Sequence, residues 1–199
     1  MALSKIQSES MNLADTFAFT GTVSGAGAMV LVGETTATAA VQYLDISGLD
    51  TTYTNLMFVA HLFLATDNVS LRMRFLNDSD VAIGGGSDYH FGRFKYQSAV
   101  ASGSGDNSHG YMEVSPTIGS ASEEDGISLM GNIYGVGTNY PLQVTTHCVH
   151  EDEGSAMEGG LMAGGMKDKS KTFGGIRLYA GSGNLETNSY IKMYGLVNS

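Results

Sequence analysis

Apolar and polar residues alternate along much of the chain with the period of two that is typical of β-strands. The clearest case is Val69–Phe75, where four apolar side chains share one face and Ser70, Arg72 and Arg74 share the other. The stretch Asn55–Leu64 is apolar on both faces, which predicts a central or doubly covered strand. Similar patterns predict further strands at Ala28–Val32, Ala39–Ile46, Tyr89–Tyr96, Tyr111–Ile118, Ile127–Tyr134, Leu142–Val149, Phe173–Tyr179 and Tyr190–Val197.

Clusters of Gly, Ser, Asn and Asp separate these strands, and helical periodicity is nearly absent. Three glycine-rich clusters are predicted to be long loops or hairpin ends: Gly84–Gly86, Gly103–Asn107 and Gly181–Asn184. Eight or more strands without intervening helices favour an all-β fold, specifically an antiparallel, jelly-roll-like β-sandwich. A chain of 199 residues suits one such domain, which we place at residues 28–199.

The first 27 residues differ from the rest because they have almost no apolar periodicity. Their apolar side chains are scattered among Ser, Thr, Asp and Glu, so they cannot form a core alone and should order only against a partner. We therefore predict an extended N-terminal arm over residues 1–27. Its docking residues would be Ile6, Met11, Leu13, Phe17 and Phe19.

The segment Gly154–Met166, GSAMEGGLMAGGM, combines methionines with two Gly-Gly pairs. Methionine adapts to irregular neighbours and glycine permits close backbone approach, which predicts an adaptable strand or loop at a contact surface. The interface candidates are Met157, Met162 and Met166, and the expected contact is a homo-oligomer or a docking surface.

Charge and composition narrow the classes of partner. The chain has 10 basic and 20 acidic residues, a net charge of −10, which argues against nucleic acid because binding the phosphate backbone relies on Lys and Arg. No apolar run approaches a membrane span, and Lys5 is followed by an interrupted polar stretch rather than a signal sequence, so we expect no membrane partner. The single cysteine, Cys148, cannot form an intrachain disulfide and indicates folding in a reducing compartment.

Metal-ligand residue types occur together at His147-Cys148-Val149-His150-Glu151. On a strand, His147 lies on one face and Cys148 and His150 lie on the other, so the two histidines cannot share an ion without a bulge. Zinc sites use four ligands, and we interpret Cys148 as a buried structural residue. Asp67, Asp78 and Asp80 lack the spacing of a calcium loop and are interpreted as turn residues, and the clusters at 123–125 and 151–153 as solvated loop tips. We expect no metal.

The candidate catalytic residues do not form a recognisable set. Ser87, Asp88 and His90 are close in sequence, but no GxSxG turn is present, and Glu113 is the only carboxylate on a predicted strand that suits glycoside hydrolysis. His61 is interpreted as a hydrogen-bonded core histidine. The glycine-rich clusters lack the lysine and helix of a phosphate loop, so we expect no cofactor and no enzymatic activity.

A polar aromatic surface remains a candidate for carbohydrate binding. Its residues would be Tyr89, His90, Tyr96 and Tyr111, although the chain has no Trp, the strongest stacking residue. Tyrosines in core and rim positions explain the same pattern.

Three parts of the sequence resemble virion proteins of tailed bacteriophages. The leader SKIQSESMNLADTFAFTGTVSGAG, at Ser4–Gly27, is similar to the arm that precedes a β-rich domain in head-decoration and tail-fibre proteins. YLDISGLDTTYTNLMFVAHLF at Tyr43–Phe63, followed by LRMRFLND at Leu71–Asp78, resembles the opening strands of a sandwich module in phage structural proteins. SYIKMYGL at Ser189–Leu196 resembles its closing strand.

The resemblance implies a non-enzymatic structural protein, favoured here as a head-decoration or cement subunit that stabilises the capsid through its arm and its sandwich surface. Its partners would be the major capsid protein or other virion proteins, and its location the virion, assembled in the host cytoplasm. A tail- or head-fibre component that contacts the host surface is the alternative within virions. A carbohydrate-active enzyme is the alternative from another class.

Overall fold

The computed structural model describes residues 29–97, 100–119, 126–152, 156–168 and 170–196, and these ranges contain twelve β-strands and no helix. The all-β prediction is therefore confirmed. The arm predicted at residues 1–27, with Ile6, Met11, Leu13, Phe17 and Phe19, lies outside the described residues. The strands are β1 (Met29–Thr36), β2 (Leu44–Ile46), β3 (Asn55–Leu62), β4 (Val69–Leu76), β5 (Tyr89–Gln97), β6 (Val100–His109), β7 (Met112–Ile118), β8 (Ile127–Tyr134), β9 (Gln143–Glu151), β10 (Met157–Met166), β11 (Gly175–Ala180) and β12 (Tyr190–Leu196).

The strands form two antiparallel sheets of unequal width. The eight-stranded sheet has the order β1-β12-β3-β8-β9-β10-β5-β6, and the four-stranded sheet has the order β2-β11-β4-β7. Every strand pair in both sheets is antiparallel. The two sheets pack as a β-sandwich, which the sequence predicted.

One hydrophobic core joins the inner faces of the two sheets, because alternate residues of each strand point between them. Strand β3 shows the pattern clearly, with every second side chain buried. The largest fully buried side chains are Tyr89, Phe58, Phe75, Leu56, Leu62, Leu71, Met73, Leu76, Met112, Ile118, Ile127 and Ile133.

Strand β7 lies at one edge of the four-stranded sheet and packs against the part of the wider sheet that lies beyond β8. It contacts β5, β9 and β10. An ion pair between Arg93 on β5 and Glu113 on β7, 2.9 Å long, joins the two sheets there. Strand β7 therefore packs on three strands of the wider sheet, β5, β9 and β10.

Several strand predictions match closely, and others need correction. Ile127–Tyr134 is strand β8 with the same bounds, whereas Ala39–Ile46 contains only the short strand β2. Gly103–Asn107 was predicted to be a loop or hairpin end, and that prediction is wrong because these residues lie inside β6. The first nine residues of β6 are exposed, as befits an edge strand, so its sequence carries no apolar alternation.

Strand β3 lies between β12 and β8, as expected for an interior strand. Its inner side chains are buried and its outer ones, including Met57, Val59 and His61, are half-buried. The double covering suggested by its apolar pattern is therefore only partial.

Candidate functional site

The face of the eight-stranded sheet that points away from the core, here called the open face, carries a row of four exposed side chains, three of them apolar and one a histidine. Strand register places Phe94, Leu161, His147 and Met130 side by side on β5, β10, β9 and β8. Phe94 is 45% exposed, Met130 44% and Leu161 37%. We call these four residues the apolar ridge. Tyr96 and Val149, both exposed, extend it along the next row.

A groove of about 1070 Å³ lies beside the ridge on the same face. Its floor is made of small residues, because Gly92 on β5 lies opposite Ala163 on β10, and Gly165 lies opposite His90. Apolar side chains such as Phe91, Pro141 and Leu142 contribute to the lining beside the polar ones. The polar side chains include one carboxylate and one ammonium group, so the groove is close to neutral. They are His90, Asp106, Asn107, Tyr134, Gln143, Thr145 and Lys167.

The polar groups of the groove are available to a ligand. The side chains of His90, Asn107 and Gln143 form no hydrogen bond with another described residue, and all three are exposed or nearly so. Asp106 is bound locally: it accepts a hydrogen bond from the Ser108 amide at 2.9 Å and lies 3.2 Å from His109. Amide, imidazole and hydroxyl groups on a shallow floor can bind the hydroxyls of a neutral polar ligand.

Glycines on the open face either allow close packing of an aromatic ring or leave space above the sheet. The ring of Tyr96 lies directly over Gly159 of β10, and a β-carbon at that position would overlap the ring. Gly92, by contrast, has open space where a β-carbon would point. Two glycines on neighbouring strands therefore have different roles: Gly159 on β10 leaves room for an aromatic ring, and Gly92 on β5 leaves the groove floor bare.

The predicted interface methionines do not share a surface. Met157 is 58% exposed, but Met162 and Met166 are each only 2% exposed and belong to the core. The interface assignment of Met162 and Met166 is therefore corrected: β10 is an interior strand of the sheet, and alternation directs these two side chains inward. Only Met157 remains available to a partner. The exposed residue of the segment that sequence reasoning missed is Leu161.

The predicted split of the His-Cys-His segment is confirmed. His147 is exposed on the open face, whereas Cys148 and His150 are buried on the inner face of β9. Burial raises the pKa of the Cys148 thiol to about 12, so this group remains a protonated core side chain at neutral pH. Across the described ranges, no group of three or more His, Cys, Asp and Glu residues is placed to hold a metal ion.

A buried polar cluster lies at the end of the inner face near residue 150. Glu158 on β10 is fully buried and lies opposite His150 on β9. Glu158 also forms an ion pair with Lys95, but this ion pair lacks the geometry of a directed hydrogen bond. Both ring nitrogens of His150 lack a hydrogen-bond partner among the described residues. Burial, and to a lesser extent the charge of Lys95, lowers the pKa of His150 to about 4, while Asp152 acts in the opposite direction. Gln97 donates to Asp152 beside this cluster.

The carboxylates considered for catalysis or calcium do not converge. Glu113 is bound to Arg93 rather than facing the groove. Asp67 precedes β4, whereas Asp78 and Asp80 follow it, so the length of the strand separates them. Asp80 instead accepts a hydrogen bond from the Gly48 amide at 3.0 Å.

Ser87, Asp88 and His90 do not form a triad. Ser87 pairs with the hydroxyl of Ser108 at 2.9 Å, Asp88 accepts from the Gly85 amide, and His90 points to the open face. His61 is hydrogen-bonded as predicted, with Nδ1 3.0 Å from the Ser128 hydroxyl. The core assignment of His61 is corrected, because the residue lies half-buried on the open face.

Of the four residues proposed for a sugar-binding surface, two lie on the open face. His90 lines the groove and Tyr96 flanks the ridge. Tyr89 is fully buried, where its hydroxyl accepts from the Phe75 amide and donates to the Ile83 carbonyl. Tyr111 instead packs against Arg72, whose guanidinium lies 4.2 Å from its ring centre.

Within the described ranges, no helix has the length and apolar character needed to cross a membrane. The ridge and the groove are features of the open face that a partner could contact. Comparison of the chain with protein-family models, with curated proteins and with solved structures gave no match.

Proposed function

We propose that this protein is a structural subunit of a tailed-phage particle, in the first instance a head-decoration or cement subunit. The observation that carries the proposal is the apolar ridge, because soluble proteins that act alone rarely expose neighbouring large apolar side chains in one patch. The resemblance of the leader and of the opening and closing strands to phage virion proteins supports the same assignment.

The order of the strands supports a jelly-roll origin for the sandwich. Without β5, β6, β9 and β10, one sheet has the order β1-β12-β3-β8 and the other has the order β2-β11-β4-β7. When these eight strands are numbered from one to eight along the chain, the orders become 1-8-3-6 and 2-7-4-5. These orders support assignment to the jelly rolls, which are common among viral capsid and lectin domains. The four strands set aside are two hairpins, β5-β6 and β9-β10, that widen one sheet.

The ridge and the groove lie largely on these added hairpins. Phe94, His147 and Leu161 belong to β5, β9 and β10, and only Met130 belongs to the eight-strand frame. Strands that lie outside the eight-strand frame are well placed to carry a binding surface. We propose that the ridge docks on the capsid protein and that the arm, which can extend about 3.3 Å per residue, spans neighbouring subunits.

The copy number of the protein in purified phage particles tests this role. Quantitative mass spectrometry against the major capsid protein should give hundreds of copies per particle for a shell subunit. About a dozen copies would identify a tail or fibre component instead, and absence from the particle would overturn the structural role.

Binding to particles that lack the protein tests the ridge. Leu161→Gln together with Met130→Gln should weaken binding at least tenfold, because docking of apolar area at about 25 cal/mol per Å² would be lost. The matched control is Val81→Gln, since Val81 is an exposed apolar residue, 59% exposed, away from the ridge. Equal binding by the ridge variant and the control would remove the ridge from the docking surface.

The groove supports the second candidate, a fibre component that binds host glycans. Its described lining includes one carboxylate, Asp106, whereas glycoside hydrolysis uses two, so we propose binding rather than turnover. In a glycan array, the protein should bind neutral oligosaccharides, and Gln143→Ala with His90→Ala should abolish the signal. Release of reducing sugar by the wild-type protein would favour the enzyme alternative.

A further inference from the structure

The outer face of the four-stranded sheet concentrates arginine in a protein that is acidic overall. The chain has four arginines, and three of them, Arg72, Arg74 and Arg177, lie on this face. Alternation places them there, since the neighbouring residues Leu71, Met73 and Phe75 of β4, like Ile176 and Leu178 of β11, are buried in the core. We call this surface the arginine face.

Each arginine is stacked on a tyrosine. The guanidinium carbon lies 3.5 Å from the ring centre of Tyr43 for Arg177, 4.2 Å from that of Tyr111 for Arg72, and 5.4 Å from that of Tyr179 for Arg74. Stacking against a ring fixes a guanidinium plane while leaving hydrogen-bond donors at its edge available. The face is therefore a preorganised array of donors rather than a set of mobile side chains.

The positive charge of the face is only partly compensated within the protein. Asp45 binds Arg177 with two hydrogen bonds, of 2.8 and 2.7 Å. Arg74 lies directly opposite Arg177 across the β4-β11 pair, an arrangement of like charges that destabilises a sheet. The side chain of Arg74 donates to the Gly110 carbonyl at 2.7 Å and has no carboxylate partner among the described residues.

Arg72 is in a similar position. The residue opposite it on β7 is Glu113, but that carboxylate is bound to Arg93. Arg72 donates from one terminal nitrogen to the Gly181 carbonyl at 3.3 Å, while its Nε is buried without a described partner. The hydroxyl of Tyr179 on the same face is also buried and unpaired within the described ranges. Buried groups without a hydrogen-bond partner destabilise a fold, so the face is not optimised for the isolated fold.

We propose that the arginine face binds a carboxylate-rich protein surface. Planar guanidinium groups pair with carboxylates through two parallel hydrogen bonds, and Arg and Tyr are the residues enriched at the energetic centres of protein interfaces. A net charge of −10 and only three arginines disfavour nucleic acid, whose binding relies on neutralising many phosphates. The proposal does not depend on a role in the virion, and its residues are separate from the ridge.

Fluorescence anisotropy with a fluorescein-labelled oligoglutamate peptide tests the site at low ionic strength. The double variant Arg72→Gln/Arg74→Gln should bind at least tenfold more weakly than the wild type. The control Lys171→Gln/Lys192→Gln removes the same charge elsewhere and should change affinity by less than twofold. Raising the salt concentration should weaken the wild-type complex because partly exposed charges are screened.

A second variant protects the test against misfolding, since Arg72 is partly buried. Tyr43→Ser removes an exposed ring that stacks on Arg177, should preserve the circular dichroism spectrum and the melting temperature, and should weaken peptide binding at least threefold. Equal losses in the Arg and Lys double variants would reduce the effect to net charge and overturn the site. No binding, or tighter binding of an oligothymidylate than of oligoglutamate, would overturn it as well.

Discussion

The two outer faces of the sandwich differ in chemistry although the same alternation builds both. The open face of the eight-stranded sheet presents an apolar ridge and a nearly neutral groove with a floor of small residues. The outer face of the four-stranded sheet presents stacked arginines and tyrosines, and its carboxylates Asp45 and Glu113 are bound to Arg177 and Arg93. The eight-stranded sheet thus exposes apolar surface area, and the four-stranded sheet exposes oriented positive charge.

The difference follows from how much each face satisfies itself. Side chains on the arginine face are held by stacking and by hydrogen bonds to the Gly110 and Gly181 carbonyls. Side chains on the ridge are not covered in this way, because Phe94, Leu161 and Met130 remain exposed. We infer that the two faces serve partners of different character, one apolar and one acidic.

The largest expected effect separates the ridge from the core directly beneath it. Met162 and Leu161 are adjacent on β10 but point to opposite sides of the sheet. Met162→Ala should lower the free energy of unfolding by about 2–5 kcal/mol, because it leaves a cavity in the core. Leu161→Ala should lower it by less than about 1 kcal/mol.

Urea unfolding followed by circular dichroism measures both substitutions. Similar losses for the two variants would mean that Leu161 is packed as tightly as Met162 and that the open face is not a free surface. Met162→Asp should prevent folding, since it buries a charge.

Alternation in the sequence was sufficient to orient the side chains of β8 and β9. It placed His147 opposite Cys148 and His150 correctly, because both strands alternate regularly. It failed for β10, where glycines at alternating and adjacent positions obscure the period and the methionines look interchangeable. It also failed for β6, whose exposed edge position leaves no apolar signal.

Alternation in the sequence placed Arg72 and Arg74 on one face of β4, but it could not predict the partners of the arginine face. Its pairs join residues that are far apart in the chain: Asp45 binds Arg177, and Tyr111 stacks on Arg72. Their proximity depends on the order β2-β11-β4-β7, in which sequence neighbours are not spatial neighbours. Local pattern fixes which side of a strand a residue occupies, while sheet order decides which residues meet.

A smaller effect should distinguish two glycines of the eight-stranded sheet. Gly131 on β8 faces the core, where a β-carbon would overlap the ring of Phe58, whereas Gly92 on the open face has open space. Gly131→Ala should cost about 1–3 kcal/mol of stability through overpacking. Gly92→Ala should be neutral or stabilise the fold by up to about 1 kcal/mol, because alanine loses less conformational entropy on folding. Thermal unfolding of both variants measures the contrast, and a destabilised Gly92→Ala would show that the groove floor is packed.

Acidification should reveal the polar end of the inner face. Burial holds the pKa of His150 near 4 in the folded protein, below the value of about 6.5 for an unfolded chain. The unfolded state therefore takes up a proton first as the pH falls, and stability present above pH 6.5 is lost progressively towards pH 4. Between pH 7 and pH 5 the loss from this residue should be about 2 kcal/mol.

The matched pair His150→Gln and His147→Gln isolates that contribution. His150→Gln should flatten the dependence of the unfolding free energy on pH over this interval, whatever its effect on stability at pH 7. His147 is on the opposite, open face of the same strand. His147→Gln should therefore leave the pH dependence of the unfolding free energy as in the wild type. If both variants retain the wild-type slope, the acid sensitivity arises elsewhere.

The smallest expected effect concerns the one neutralised arginine of the arginine face. Asp45 and Arg177 form a bidentate pair whose side chains are each only about a fifth exposed, and the Asp45 carboxylate raises the pKa of the guanidinium. A double-mutant cycle with Asp45→Asn and Arg177→Gln should give a coupling energy of about 0.5–1 kcal/mol, since water still screens the pair. The coupling should shrink as salt is raised from low to high concentration.

Arg74 lies opposite Arg177, so removing Asp45 leaves two unneutralised arginines face to face. Asp45→Asn should therefore cost more stability than Arg177→Gln, and the reverse order would show that stacking on Tyr43, rather than charge, holds this corner of the sheet together.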